Sequence, residues 1–204
     1  MAAELPSDHL FCDCCGLSQP SNQVVVSRGN PSARLMLIGE APGANEDALG
    51  EPFVGRSGKV LDQLLKDAGI NPFDDIYICN AVKCRPPKNR RPSKHELQCS
   101  SPWLNQQIAL VDPWVIALAG ATAIDVILGV KEKMSTLRGV WQLWEGRMVM
   151  PLFHPSYLLR NPSKVEGGPI ALTRGDLLEV KNKLEELQNS SCVPVLGLDR
   201  GHKS

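Results

Sequence analysis

The sequence predicts an α/β fold of three layers, in which a central parallel sheet of four strands lies between two layers of helices. Two observations support this prediction. Short apolar runs have the length of buried strands, and the segments between them have the period of amphipathic helices. Strands that alternate with helices form parallel sheets that are covered on both faces. The apolar runs are residues 35–38, 76–79, 114–118 and 148–153.

The helices are predicted from periodicity and from their end signals. In the segment 57–70 the apolar residues fall on one stripe, which indicates an amphipathic helix. Ser93 has the capping-box spacing to Glu96 and therefore begins a second helix. We expect a short helix over 120–128 and a longer, charged helix over 170–187.

Composition and charge exclude membrane-spanning and exported proteins and indicate no particular partner. Lys plus Arg and Asp plus Glu both number 22, so the overall charge indicates no partner. No segment is long and apolar enough for a transmembrane helix, and the N-terminus is not a signal peptide. We therefore expect a cytoplasmic protein with no membrane partner. One domain is expected over 1–188 and a flexible tail over 189–204.

Unusual residues follow three of the predicted strands at their carboxyl ends. Residues 39–43 follow the first strand, Asn80 follows the second, and His154 follows the last. Open α/β sheets bind their ligands at this edge. We therefore expect these three segments to lie close together and to form a site.

The segment 39–55 is rich in glycine and acidic residues but contains no lysine or arginine. It lacks both the lysine of a Walker loop and the spacing of a dinucleotide fingerprint, and its acids would repel phosphate. A turn-rich surface loop is the simpler interpretation. Against that interpretation, Glu40 lies at the strand end and Phe53 follows a stiff turn. These features favour a neutral planar ligand, such as a base.

Seven cysteines in a chain without an export signal indicate metal or thiol chemistry rather than disulfides. Cys12 and Cys15 form a C-x2-C pair, and Cys84 and Cys99 form a second pair around a long loop. Two such pairs can hold zinc or an iron–sulfur cluster, and their spacing does not separate the two. Cys14 could replace Cys15, but the C-x2-C spacing lets both sulfurs face one ion.

The loop between the second pair of cysteines is basic. It contains no acid between positions 83 and 94, and three prolines make it stiff. A solvated basic face is the usual interpretation of such a run. A rigid basic loop also suits contacts with the phosphates of nucleic acid. Its cations are Lys83, Arg85, Lys88, Arg90, Arg91 and Lys94.

The segment after the last strand combines a histidine with polar, apolar and basic residues. His154 is oriented by the proline beside it, although a lone histidine is more often structural than catalytic. Ser156 could bind a phosphate, and Leu158 and Leu159 precede the basic Arg160. An apolar wedge between phosphate contacts is suited to entering a base stack. Core packing of one of the two leucines is the alternative.

Together these segments resemble the family 4 uracil-DNA glycosylases, the iron–sulfur type of bacteria and archaea. The match extends from Cys12 to about Leu187. The motifs that support it are GEAPG at 39–43, ED at 46–47 with PFVG at 52–55, NAVKCRPPKNRRP at 80–92 and HPSYLLRNPS at 154–163.

The resemblance implies a uracil-DNA glycosylase, which flips uracil out of DNA and hydrolyses its N-glycosidic bond to begin base excision repair. The implied fold has a four-stranded parallel sheet. The implied cofactor is a [4Fe–4S] cluster on Cys12, Cys15, Cys84 and Cys99. The implied partner is uracil-containing DNA, single- or double-stranded. We expect a monomer, associated with the nucleoid.

The resemblance also implies roles for individual residues. Phe53 would stack on uracil, Asn80 would recognise its Watson–Crick edge, and His154 would stabilise the developing negative charge. The catalytic candidates are Glu40, Asn80 and His154. The substrate-binding candidates are Gly39, Ala41, Glu46, Phe53, Asn80 and His154. The DNA-binding candidates are Ser156, Leu158 as the wedge, Arg160, Arg85, Lys88 and Arg90.

The chain departs from two related groups. Family 1 glycosylases carry an aspartate where this chain has Ala41, so Glu40 is the nearest acid. Relatives that crosslink to DNA have a histidine-bearing insertion in the basic loop and lack the third cysteine, whereas this chain retains Cys84. A turnover enzyme is therefore expected. The rival hypothesis, a non-catalytic iron–sulfur or zinc protein that binds DNA, would not need the residues at the strand ends.

Overall fold

The computed structural model describes residues 13–191. Its centre is a six-stranded sheet with strand order β1-β3-β2-β4-β6-β5, in which the four middle strands run parallel. This confirms the predicted parallel sheet. The strands are β1 Arg28–Gly29, β2 Leu35–Gly39, β3 Ile76–Asn80, β4 Val115–Ala119, β5 Gln142–Trp144 and β6 Arg147–Leu152.

Helices cover both faces of the sheet. One face packs against α2 and α7, and the other packs against α3 and α4, so the sheet lies between two apolar layers. The helices are α1 Ala44–Leu49, α2 Arg56–Asp67, α3 Lys94–Val111, α4 Ala121–Leu128, α5 Met134–Leu137, α6 Pro155–Arg160 and α7 Pro169–Ser191.

The four parallel strands were predictable because both of their faces are buried. Every residue of β2, β3 and β4 is buried, so each of these strands is one continuous apolar run. The two edge strands pair antiparallel to their neighbours and were not predicted. They contain only two and three residues, and their exposed side chains leave no apolar run in the sequence.

The predicted helices are confirmed, and the structure adds shorter ones. The capping box of α3 is present, because Ser93 Oγ accepts from the Glu96 N–H at 3.2 Å and Glu96 Oε2 accepts from the Ser93 N–H at 2.7 Å. Helices α1 and α6 have six residues each, too few to show a period. Helix α7 reaches Ser191, past the predicted boundary at 188, and residues 192–204 lie outside the described range.

Within residues 13–191, no helix has the length and apolarity that a membrane span requires.

The start of α3 also fixes the basic loop. Glu96 accepts from Arg90 Nη1 at 2.8 Å, and Arg90 lies at the tip of that loop. The Arg90 guanidinium and the Ser93 N–H lower the pKa of the Glu96 carboxyl from 4.5 to about 2. The carboxylate therefore connects the helix start to the loop.

We predict that Glu96→Gln lowers stability in a pH-dependent way. A carboxyl whose pKa is lowered in the folded state stabilises that state above its ordinary value of 4.5, and the effect is lost as pH falls toward about 2. Urea unfolding of both proteins across this range measures the difference. The exposed Glu132→Gln serves as control. A difference between wild type and Glu96→Gln that does not shrink on acidification would contradict the assignment.

Candidate active site

The carboxyl ends of the parallel strands surround a cavity of about 340 Å³. Its wall includes the three catalytic candidates, Glu40 after β2, Asn80 at the end of β3 and His154 after β6. The structure therefore brings together the segments that the sequence placed at separate strand ends. Ala41, Glu46 and Phe53 also line this cavity.

Gly39 was predicted to bind the substrate, but it is not one of the described residues that line the cavity; it instead lets two of the lining side chains come together. Gly39 pairs with Asn80 across the parallel strands. A Cβ atom at Gly39 would lie 2.4 Å from Asn80 Oδ1 and 2.4 Å from Phe53 Cζ. Since real Cβ atoms do not approach so closely, only glycine lets the amide and the ring occupy these positions. Phe53 is itself held with a φ of 55°, and its side chain is buried.

The Asn80 side chain has an unused hydrogen-bond acceptor. The residue is 1% exposed, and its Oδ1 has no hydrogen-bond partner among residues 13–191. Buried polar atoms are nearly always paired, and leaving one unpaired is costly. Because Asn80 lines the cavity, its amide oxygen can accept from a ligand that brings an N–H group.

The hydrogen bonds of His154 define which ring nitrogen carries the proton. The Ser156 N–H donates to His154 Nδ1 at 3.1 Å, and Ser156 Oγ lies 2.8 Å from the same atom. Nδ1 is therefore an acceptor, and the proton of the neutral ring is on Nε2. Burial is the main cause that lowers the pKa of His154, and Arg160 adds to it while Glu40 opposes it. The ring is a neutral donor at the cavity wall.

Thr122 forms a hydrogen bond with Glu40, and this residue was not predicted from the sequence. Thr122 Oγ donates to Glu40 Oε2, and the Thr122 side chain is buried. Thr122 lies on the first turn of α4, directly after β4. All four parallel strands therefore contribute to this edge, although only three had been assigned site residues. The neighbouring Gly120 has a φ of 91°, and a Cβ there would lie 2.9 Å from His154 Cβ.

Two other acids of the 39–55 segment, Glu46 and Asp47, bind N–H groups. Glu46 Oε1 accepts from the Gly55 N–H at 2.8 Å, and its Oε2 accepts from the Gly43 N–H at 3.1 Å. Asp47 accepts from the N–H and the side-chain amide of Asn22 at 2.9 and 2.7 Å. Glu46 lines the cavity as predicted, but its oxygens already hold the loop closed around the Phe53 turn.

The predicted DNA-binding residues are only partly on the surface. Ser156 and Arg160 line the cavity, Lys88 and Arg90 are exposed on the basic loop, and Arg85 is half-buried and bonded to Asn89.

Two of the predictions about apolar and basic residues are wrong. Leu158 is 1% exposed and packs in the core under α6, so it is not the expected wedge. The exposed apolar side chain on this helix is Tyr157. Lys83 was expected on a solvated basic loop, but it is 4% exposed and donates to the main-chain oxygen of Asn80. Burial lowers the pKa of its ammonium group.

Three of the four predicted metal ligands converge. Cys15, Cys84 and Cys99 line one small cavity of about 30 Å³, so their donor chemistry fits a thiophilic metal centre. The fourth, Cys12, lies outside the described residues. Within the described residues no group of three or more ligand side chains is arranged around a metal position.

The structure differs from the prediction at Cys99. It joins Cys99 to Cys14 in a disulfide whose Cα atoms are 5.8 Å apart, whereas the predicted set makes Cys99 a ligand and leaves Cys14 out. A sulfur atom in a disulfide is no longer a thiolate, so the two arrangements of Cys99 exclude each other.

Comparison with known proteins identifies the family of this chain. Residues 26–183 match the family described as the Uracil DNA glycosylase superfamily. A type-4 uracil-DNA glycosylase of Thermotoga maritima is 46% identical over 74% of this chain and 80% of its own length. One from Sulfurisphaera tokodaii is 36% identical over 78% of this chain and 76% of its own. A type-5 uracil-DNA glycosylase of Thermus thermophilus is 33% identical over 63% of this chain and 67% of its own. The chain therefore belongs to the uracil DNA glycosylase superfamily and, within it, to the type-4 uracil-DNA glycosylases.

Proposed function

We propose that this protein is a uracil-DNA glycosylase that flips uracil out of DNA and hydrolyses its N-glycosidic bond. The abasic site it leaves would begin base excision repair of deaminated cytosine in the cytoplasm, at the nucleoid. The observation that most supports this proposal is the buried, unpaired Oδ1 of Asn80 at the wall of a cavity of about 340 Å³.

Asn80 distinguishes uracil from cytosine by the direction of its hydrogen bonds. The N3–H of uracil donates to Asn80 Oδ1, and the amide NH₂ of Asn80 donates to uracil O4. Cytosine presents an acceptor at N3 and a donor at C4, so both bonds would meet the wrong partner. Phe53 forms an apolar wall against which the flat base stacks, with its ring centroid 6.0 Å from that of His154.

His154 stabilises the leaving group. As the glycosidic bond breaks, uracil departs as an anion and negative charge develops on its O2 oxygen. The proton on Nε2 can donate to this oxygen, because Ser156 occupies Nδ1. A donor that is fixed before the reaction stabilises the charged transition state more than the neutral ground state.

Glu40 is the acid available for the attacking water. Two carboxylates line the cavity, Glu40 and Glu46, and both oxygens of Glu46 accept from main-chain N–H groups. Glu40 uses Oε2 to accept from Thr122, so its other oxygen can orient a water molecule. This carboxylate takes the place of the aspartate that family 1 enzymes carry at the position of Ala41.

The DNA strand follows the cations around the cavity mouth. Arg90 and Arg160 line the cavity, and Lys88 extends from the adjacent loop. Contacts of these cations with phosphates position the duplex without reading its sequence. Flipping a nucleotide costs a few kcal/mol and costs least at a mismatch, so a uracil opposite guanine is the favoured substrate.

The cofactor is a [4Fe–4S] cluster held by Cys12, Cys15, Cys84 and Cys99. The cluster would be structural when bound, because it ties the N-terminal segment, the basic loop and α3 together. The convergence of Cys15, Cys84 and Cys99 on one cavity supports this set. Cys84 and Cys99 flank the basic loop, so their ligation would hold the loop in place for DNA.

Excision should be seen with labelled DNA that contains one U·G pair, treated with alkali after incubation with the protein. We expect cleavage at the uracil and none in a matched T·A duplex. His154→Ala and Asn80→Ala should each lower the single-turnover rate by about 10²–10³, because each removes a donor to the leaving group. Both variants should still bind the duplex.

The matched control for these variants is Asn182→Ala, an exposed position on α7 that should leave the rate unchanged. An unchanged excision rate in His154→Ala or Asn80→Ala would show that the substituted residue does not have the proposed catalytic role. A brown protein that binds the duplex without cleaving it would instead favour the non-catalytic DNA-binding protein.

The rate of excision should remain constant on acidification beyond the point where an ordinary histidine is protonated. Since the pKa of His154 is lowered from 6.5, the neutral ring persists to lower pH. Single-turnover rates between about pH 8 and pH 5 measure this. A fall centred at or above pH 6.5 would contradict a neutral donor. The wild-type rate should fall only once the pH drops below the lowered pKa of His154, and His154→Gln, which does not titrate, should not show that fall.

The cysteine variants separate the two possible ligand sets. Cys15→Ser and Cys84→Ser should each reduce the iron content of the purified protein, because a serine oxygen is a poor replacement for a thiolate. Cys14→Ser should keep the wild-type content, which makes it the matched control. Iron per chain and the visible absorption of anaerobic preparations measure this. Iron loss in Cys14→Ser with retention in Cys15→Ser would show that the ligand set contains Cys14 instead.

A further inference from the structure

Helix α6 presents one face to the candidate site and the opposite face to the core. Ser156 and Arg160 line the cavity, and their i,i+4 spacing places them on the same face of the helix. Leu158 lies midway between them in sequence, which is about 160° from each around the helix axis. It is 1% exposed and packs in the core. A leucine in this direction does not reach DNA while α6 keeps its position.

Tyr157 is a large, mostly apolar side chain of α6 that reaches solvent. It is 37% exposed, whereas Leu159 is half-buried. Around the helix axis Tyr157 lies about 60° from Arg160. Because Arg160 lines the cavity, the tyrosine ring lies beside the cavity mouth and close to a cation.

The backbone and the ring of Tyr157 both have a fixed position relative to His154. The Tyr157 N–H donates to the main-chain oxygen of His154 at 2.8 Å. The Tyr157 oxygen accepts from the N–H and from the side-chain amide of Asn161, each at 3.0 Å. The ring centroid of Tyr157 lies 5.0 Å from that of Phe153, which packs against the apolar core. A side chain held in this way loses little conformational freedom when it binds a partner.

The proposed reaction requires a side chain that can open a duplex. A flipped nucleotide leaves a gap, and the bases on either side of it lose a stacking neighbour. Proteins that open a base stack insert apolar side chains into it, and aromatic rings stack on bases of any kind. Arg90 and Arg160 line the cavity beside Tyr157, so contacts with phosphates are available near the ring.

We propose that Tyr157 enters the base stack of duplex DNA and fills the space that the flipped uracil leaves. This inference rests on the proposed function, because it takes a flipped uracil as its starting point. Tyr157 contacts the duplex and not the uracil, so it favours flipping without taking part in bond cleavage. The role of the wedge, predicted for Leu158, therefore belongs to Tyr157.

Tyr157→Ala tests the proposal by comparing two substrates of the same sequence. One is a duplex with a single U·G pair, and the other is the uracil strand alone, which has no paired base to displace. We expect the single-turnover excision rate on the duplex to fall roughly 10–100-fold, which corresponds to the loss of stacking on one base. The rate on the single strand should stay close to wild type. Tyr157→Phe, which keeps the ring, should restore most of the rate on the duplex.

Two further variants serve as controls, and thermal unfolding is measured for each protein. Leu143→Ala removes a side chain that is 74% exposed on β5 and should change neither rate. Leu158→Ala should lower the unfolding midpoint, because it leaves a cavity in the core. Its effect on excision should be similar for the duplex and the single strand.

Three results would contradict the inference. An equal loss on both substrates in Tyr157→Ala would show that the tyrosine supports the site and does not act on the duplex. An unchanged duplex rate in Tyr157→Ala would show that it has no role in flipping. A loss confined to the duplex in Leu158→Ala would return the wedge to that leucine. Each of these results leaves the proposed function intact, whereas a wild-type protein that excises uracil from neither substrate would overturn the function and this inference with it.

Discussion

The site depends on the absence of a side chain at Gly39. The parallel register places Gly39 opposite Asn80, and the space that a Cβ would need is filled by the Asn80 amide and the Phe53 ring. This close approach places the Asn80 amide and the Phe53 ring side by side at the cavity wall. A similar close approach occurs at Gly120, where the chain passes against His154. The cavity is thus shaped by backbone packing before any ligand enters.

The distribution of charge explains how an acidic loop can serve a nucleic-acid enzyme. The carboxylates of Glu46 and Asp47 accept hydrogen bonds from main-chain and amide N–H groups. They therefore stabilise the loop and do not face the ligand as free anions. Glu40 is bound to Thr122. His154 is a neutral donor, since Ser156 occupies its Nδ1. The cavity therefore suits an uncharged base, and the cations that attract phosphates lie at its mouth and on the basic loop.

Much of the fold followed from the sequence because strands that are buried on both faces leave continuous apolar runs. The site followed in part, because the carboxyl ends of parallel strands meet at one edge. Thr122 was missed because a small hydroxyl residue after a glycine is typical of a helix start. Leu158 and Lys83 were misplaced for a related reason. A six-residue helix has no period to show its buried face, and the charge of a lysine does not indicate its burial.

The two arrangements of Cys99 hold the chain together in different ways. A disulfide between Cys14 and Cys99 joins the N-terminal segment to α3 and does not use Cys15. The thiolate arrangement would join the same two segments and, through Cys84, would add the basic loop to them. Cys14 is the cysteine that the thiolate arrangement does not need, whereas the disulfide requires it. The cavity shared by Cys15, Cys84 and Cys99 therefore favours the thiolate arrangement, because that arrangement gives all three of these cysteines one role.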